Sequence, residues 1–251
     1  MRLELHVTAS SQDIFVDVWR GGATGGGYER FTVPRQESQT ILDVVAWIQQ
    51  HADPNLSYRY ACRVGMCGSC AMMVNGVPRW TCRTHVKKVL NGVNGDTVTI
   101  GPLRNLPVIK DLAVDMDPFF DKWVAAAGVH QPSKTRDQAI EQLSPTTPSR
   151  LEADAAIECI NCSVCYAACD TVANNADFLG PAALQRAWTV YLDPKGADPG
   201  AILEAVSGKG GCHNCHSQGS CTVHCPNDLN PMKAIAGLKR ATVASLFKGG
   251  S

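Results

Sequence analysis

The sequence predicts an α+β chain with two unlike halves, and three observations lead there. Up to about residue 105, short runs rich in β-branched and aromatic residues alternate in polarity around a single amphipathic helix. Beyond about residue 150 strand signals nearly vanish, and helical runs opened by proline take over. Of the 12 cysteines, Cys62 to Cys82 fall in the first half and Cys159 to Cys225 in the second, at short spacings in both.

Leu3 to Thr8 and Asp13 to Trp19 read as strands, and Gly21 to Gly27 as a hairpin loop leading to a strand at Tyr28 to Val33. Those glycines neither fit G-x-G-x-x-G nor open a helix, so a phosphate-binding reading gives way to a plain loop. Thr40 can cap a helix to about Gln50, because Ile41, Val44, Val45 and Ile48 then share one face. Asn75-Gly76 between Val74 and Val77 signals a two-residue turn after a strand at Ala71 to Val74, and Thr97 to Ile100 gives another strand. From Pro118 the pattern turns helical, Ser144 to Ser149 reads as a polar linker, and helices are expected from Pro181 to about Tyr191 and from Pro231 to about Phe247. The expected division is residues 1–118, a connecting helix and linker at 119–149, and a helical domain at 150–251.

Lysine plus arginine and aspartate plus glutamate balance at 23 each, which gives no sign of nucleic-acid binding. Metal-bound thiolates would make the loaded protein more acidic than this count. No apolar run is long enough for a membrane span, and MRLELHVTASSQ lacks the apolar core of a signal peptide, so the chain is expected to stay where it is made. In a reducing compartment, cysteines clustered this tightly are metal ligands before they are disulfides.

Cys62, Cys67, Cys70 and Cys82 are spaced C-x4-C-x2-C-x11-C, and the first three match plant-type [2Fe–2S] spacing. Three thiolates would come from one tight loop, which Gly65 and Gly68 allow, and the fourth from a neighbouring strand; Arg63 and Arg83 are placed to offset cluster charge. A structural zinc site also takes four thiolates, but commonly from two C-x2-C knuckles, and only one is present here. Cys159, Cys162, Cys165 and Cys169 spell C-x2-C-x2-C-x3-C, the bacterial ferredoxin run whose fourth cysteine serves the other cluster; Asp170 stands where proline normally follows. The second run is Cys215, Cys221 and Cys225 with Pro226. Crosswise pairing assigns Cys159, Cys162, Cys165 and Cys225 to a [4Fe–4S] cluster, and Cys169, Cys215 and Cys221 to the other. Gln218 occupies the place of a fourth ligand in the second run, which favours a [3Fe–4S] centre. Cys212 is either a spare buried thiol or the ligand that completes four irons. His213 and His224 are read as non-ligands, because every iron can be filled without them.

CRVGMCGSCAMMVNGVPRWTC (Cys62 to Cys82), LPVIKDLAVDMDPFF (Leu106 to Phe120), CINCSVCYAAC (Cys159 to Cys169), FLGPAAL (Phe178 to Leu184) and CHSQGSCTVHCPNDLNP (Cys215 to Pro231) together resemble the iron–sulfur subunits of succinate dehydrogenase and fumarate reductase. The resemblance spans nearly the whole chain. It implies a β-grasp ferredoxin domain followed by a helical bacterial-ferredoxin-like domain. It also implies electron flow from a FAD flavoprotein through [2Fe–2S], [4Fe–4S] and [3Fe–4S] clusters to quinone at a membrane anchor, with the chain peripheral on the cytoplasmic face of the inner membrane. No residue of this chain would act on the dicarboxylate. His216 matches a family histidine near the quinone headgroup, and Asp170 is the second candidate there. Asp170 and the run Thr171 to Asn175 stand where succinate-oxidising members commonly carry a proline and a tryptophan. The same resemblance admits the fumarate-reducing direction, and the cysteine pattern alone admits a ferredoxin-like adaptor of a heterodisulfide-type dehydrogenase. The last helix, with Lys233, Lys239, Arg240 and Lys248 beside Met232, Ile235, Leu246 and Phe247, is expected to pack on its own domain with solvated lysines, the alternative being a face for anionic lipid or an anchor subunit.

Overall fold

The computed structural model describes residues 13–90, 95, 97–140 and 142–248, and the strand expected at Leu3 to Thr8 lies outside them. The chain divides into two compact units: one runs to Pro102 and takes in Val108–Ala113, the other comprises Leu103–Pro107 and everything from Val114.

The first unit is a sheet wrapped on one helix. Its elements are β1 (Ile14–Gly22), β2 (Gly25–Val33), α1 (Ile41–His51), β3 (Ala71–Val74), β4 (Val77–Trp80), α2 (Val86–Val89), β5 (Thr97–Gly101) and β6 (Val108–Lys110). The strands lie in the order β4-β3-β5-β1-β6, with β2 also on β1, and the β1–β5 pairing is parallel. Alternate residues Ile14, Val16 and Val18 of β1 turn inward and meet Ile41, Val44, Val45 and Ile48 of α1 in one core. Thr40 caps α1 as its sequence position suggests: its hydroxyl accepts from the Asp43 N–H at 3.2 Å, and the Asp43 carboxylate accepts from the Thr40 N–H at 3.0 Å. Asn75 and Gly76 take φ of 49° and 76°, both left-handed, as a two-residue hairpin turn requires.

The glycine-rich segment differs from its sequence reading. Its turn is only Ala23-Thr24, and the flanking glycines belong to the ladder, with Gly21 opposite Gly26 and Gly22 opposite Gly25. The strands cross so closely that a Cβ on Gly21 would sit 2.4 Å from the Gly25 carbonyl oxygen, so close approach is what demands glycine. The open end of β1 is fixed by Asp111. Its buried carboxylate accepts from Arg20 Nε (3.1 Å), the Gly21 N–H (3.1 Å) and the Ser57 N–H (3.0 Å).

A two-residue strand β7 (Ala113–Val114) stands where the chain leaves the first unit, and the second unit is helical: α3 (Asp117–Ala125), α4 (Pro148–Ile157), α5 (Val164–Ala167), α6 (Asp170–Asn174), α7 (Pro181–Leu192), α8 (Pro199–Ser207), α9 (Ser220–Val223) and α10 (Pro231–Lys248). Proline opens α4, α7, α8 and α10, where its missing N–H and fixed φ cost nothing. The polar linker is therefore shorter than its sequence suggests, because Pro148 already belongs to α4. α7 is buried on most sides and packs against α3, α4, α8 and α10. Gly237 lets α10 approach α7: a Cβ there would lie 2.5 Å from the Trp188 ring. Ile235 and Leu238 of α10 are buried, whereas Leu246 and Phe247 near its end are exposed. Lys239 departs from the solvated-lysine expectation, since its ammonium donates to the Cys215 carbonyl at 2.6 Å. No helix among the described residues is long and apolar enough to cross a membrane.

Candidate metal centres

All twelve cysteines are free thiols, four of them in the first unit and eight in the second. In the first unit Cys62 and Cys67 lie on a loop, Cys70 enters β3, and Cys82 leaves β4, so the antiparallel β3–β4 pair returns the fourth thiol beside the third. Thr81 locks that return, its hydroxyl donating to the Cys70 carbonyl at 2.7 Å. The loop curls because Arg63, Gly65 and Gly68 take φ of 58°, 77° and 70°. Curling turns its N–H groups inward: those of Val64 (3.4 Å) and Met66 (3.3 Å) point to Cys62 Sγ, that of Cys62 to Cys67 Sγ (3.5 Å), and that of Gly65 to Cys82. Such a concavity of backbone donors stabilises negative sulfur. The Cys62 N–H and the Ser69 hydroxyl bring the Cys67 thiol down to about 6, while burial and the neighbouring Cys70 push Cys82 up to about 11. Arg83 donates to the Val64 carbonyl at 3.2 Å, and Arg63 lies over the Tyr60 ring at 4.9 Å.

In the second unit Cys159, Cys162, Cys165 and Cys225 line one cavity together with Phe119, Ala182 and Pro226. Burial pushes Cys159 up, Cys162 to about 12 and Cys165 well above its ordinary range; after burial, nearby members of the same set act on each of these thiols. Cys221 is raised to about 11, first by burial, with Cys169 and Cys215 close enough to act on it electrostatically. Cys221 acts in the same way on Cys165 of the other set. Left-handed residues recur between the cysteines, at Asn161 (57°), Ser163 (56°), Ser217 (59°) and Gly219 (83°). The Ser217 N–H points to Cys215 Sγ at 3.4 Å, as in the first loop. Three of these four are not glycine, so composition alone gave no sign of the turns.

Among the described residues no three His, Cys, Asp or Glu side chains converge on the position of a single ion. A cluster asks for something else, a cavity whose thiols each reach their own iron, and the thiol-only donor sets and inward N–H groups fit that requirement.

Cys212 is fully buried in the turn Cys212–Asn214, with the Thr242 hydroxyl and the Lys239 ammonium as partners and Cys215 nearby; burial raises it. His213 Nε2 lies 2.9 Å from the same Thr242 hydroxyl. Gln218 and His216 are exposed. Asp170 is exposed too, as the first residue of α6, with Arg104 Nη2 3.9 Å away.

Comparison with known proteins finds iron–sulfur domains over both cysteine-bearing stretches. Residues 16–121 match a family described as "2Fe-2S iron-sulfur cluster binding domain", and residues 158–230 match "4Fe-4S dicluster domain". The fumarate reductase iron–sulfur subunit of Mycobacterium tuberculosis is 32% identical over 228 residues, covering 88% of each chain. The succinate dehydrogenase iron–sulfur subunit of Paracoccus denitrificans is 34% identical over 209 residues, covering 81% of this chain and 76% of that one. A chain of the Mycobacterium smegmatis Sdh1 complex in the apo form superposes with a TM-score of 0.83 at 25% identity, covering 95% of this chain and 98% of that one. With two cysteine-bearing units in the expected order and relatives matched along most of their length, the chain belongs to the family of iron–sulfur subunits of succinate dehydrogenase and fumarate reductase.

Proposed function

We propose that this chain carries electrons between a FAD-containing flavoprotein and quinone at an integral membrane anchor, in the direction of succinate oxidation. The observation that carries the reading is that Cys225 of the second run lines one cavity with Cys159, Cys162 and Cys165 of the first, while Cys169 of the first run acts on Cys221 of the second. In it, Cys62, Cys67, Cys70 and Cys82 hold the [2Fe–2S] cluster, Cys159, Cys162, Cys165 and Cys225 the [4Fe–4S] cluster, and Cys169, Cys215 and Cys221 the [3Fe–4S] cluster, with Cys212 a spare thiol. When bound, the clusters supply one-electron carriers in series. The chain's own residues do the rest. Loop N–H groups aim at sulfur in the first unit, and packing against α7 keeps water from the second. His216 and Asp170, both exposed near the last group, form the quinone side.

The domain division follows the same reading, with the β-grasp [2Fe–2S] domain at 1–118, the connection at 119–149 and the two-cluster domain at 150–251. The chain would sit peripherally on the cytoplasmic face of the inner membrane, held by the anchor. The adaptor reading is not favoured, because both relatives compared are subunits of succinate or fumarate enzymes. Purification through a tag on this chain tests the proposal. A flavoprotein and a multi-span protein should copurify, and succinate should reduce the complex faster than the quinol-reduced complex passes electrons to fumarate. Zinc without iron and sulfide, or no response to succinate, would overturn it.

A further inference from the structure

The turn from Cys165 to Cys169 is one of two four-residue links between the two buried groups, the other being Cys221 to Cys225, since its first thiol belongs to one group and its last to the other. α5 is one turn long, and Tyr166, Ala167 and Ala168 are buried. The Tyr166 and Cys169 carbonyls each accept a local N–H, from Cys169 and Ala173 respectively, at 3.2 Å, which leaves lone pairs to fill. Further donors come from far away in sequence. Asn105 Nδ2 donates to the Tyr166 carbonyl at 2.8 Å and to the Cys169 carbonyl at 3.1 Å. Arg104 donates to the Ala167 carbonyl from Nε at 3.3 Å and from Nη2 at 3.1 Å. Four N–H···O contacts thus fall on three carbonyls of a single turn.

The donor segment is itself held for this task. Leu103 and Leu106 are buried on either side of the pair, and the Pro107 carbonyl accepts from the Asp115 N–H at 2.8 Å. Asn105 sits at φ 66°, in the left-handed region that few side chains other than Asn and Asp tolerate, and that conformation turns its amide to the turn.

We propose that Arg104 and Asn105 are positioning residues for the two buried cluster sites, clamping the Cys165–Cys169 turn so that its two thiols keep a fixed separation and aim. The proposal rests on the ligand assignment above. It distinguishes these residues from general packing, because all four of these side-chain hydrogen bonds go to a turn that supplies a thiol to each of the two sites. The guanidinium also stands beside the Cys169 end of the turn, within 3.9 Å of Asp170.

The test uses the purified complex carrying Asn105→Asp or Asn105→Gly. The first keeps the shape and backbone preference of asparagine but replaces the donor with an acceptor facing carbonyls. The second relaxes the backbone and simply removes the amide. Spin quantitation of the [2Fe–2S] and [3Fe–4S] electron paramagnetic resonance signals, the midpoint potential of the latter, and the rate of iron loss to a chelator are read together. The expected result is loss of the [3Fe–4S] signal in N105D. In N105G the expectation is a shifted [3Fe–4S] potential and about tenfold faster release of iron from the second unit, the [2Fe–2S] signal staying at wild-type intensity in both. Wild-type potential and iron retention in N105G and N105D would overturn the clamp. So would loss of all signals in equal measure in N105G, which would mark a general folding role. If the unaltered complex itself lacks a [3Fe–4S] signal, the ligand assignment fails rather than the clamp, and the proposal falls with it.

Discussion

The two units bind the same kind of group with opposite local chemistry. In the first, a partly exposed loop surrounds its sulfurs with backbone N–H groups and brings Cys67 down to about 6, so a thiolate is available before any metal arrives. In the second, burial dominates, and Cys162 (about 12), Cys165 and Cys221 (about 11) are held as neutral thiols. Three or four thiolates placed together in an apolar interior would repel one another and lack solvation, so the iron must replace their protons as the unit closes. The difference teaches that backbone donors prepare one thiol of the first site for metal, although Cys82 there is raised by burial to about 11, whereas in the second unit burial raises thiols of both groups and metal must displace their protons.

The largest expected effect breaks this contrast at its most buried point. Cys165→Ser removes a ligand of the proposed [4Fe–4S] site, whose loss should open the buried interior and take the second cluster of the unit with it while the [2Fe–2S] signal persists, which iron analysis and electron paramagnetic resonance would show. Loss of the [2Fe–2S] cluster as well would mean that the units do not load separately. Next comes thiol reactivity in iron-free protein. Alkylation of Cys67, followed by mass spectrometry, should rise as pH passes upward through about 6 and level off, because its thiolate predominates above that value. Cys162 and Cys221, with values of about 12 and about 11, should remain unreactive at neutral pH unless the unit opens.

A smaller effect sharpens the geometry of the first loop. Gly65→Ala places a Cβ 3.0 Å from the Trp80 ring at a φ of +77°, at a cost of roughly 1–2 kcal/mol. Its [2Fe–2S] cluster should be released about tenfold faster in a chelator challenge, with the other clusters unaffected. The smallest effect on cluster loading concerns the end of β1, where a change should alter stability and leave the clusters in place. Burial alone would raise the Asp111 carboxyl, but the Ser57 and Gly21 N–H groups and Arg20 outweigh it and hold it below the usual carboxylate range. A lowered folded value means the stabilisation is full above about pH 4 and is lost as pH falls through the folded value. Asp111→Asn should therefore cost about 1–3 kcal/mol at neutral pH and flatten the acid side of the stability profile, measured by denaturant unfolding.

What could be read from the sequence follows the same divide between local and distant chemistry. Cysteine spacing is local, so the two cysteine-bearing stretches and their iron–sulfur character were legible, as were the Thr40 cap and the Asn75-Gly76 turn. The left-handed turns at Asn161, Ser163 and Ser217 were not, because residues without the glycine signal adopt them around the thiols. Neither were the Arg104–Asn105 bonds to α5 and the Lys239 bond to the Cys215 carbonyl, since each joins a side chain to backbone far away and leaves no periodicity. The glycine ladder at Gly21 and Gly26 looked like a loop because close strand crossing and loop flexibility call for the same residue.

The terminal group is where the three-cluster arrangement is most exposed to contradiction, since Cys212 is buried beside Cys215 and Gln218 is exposed. Electron paramagnetic resonance of the oxidised and reduced complex, compared with its Cys212→Ser variant, is the most direct measurement. The expected result is a [3Fe–4S] signal on oxidation and a [2Fe–2S] signal on reduction, both unchanged in the variant. A wild-type complex silent on oxidation that gains a three-iron signal only when Cys212 is replaced would contradict it.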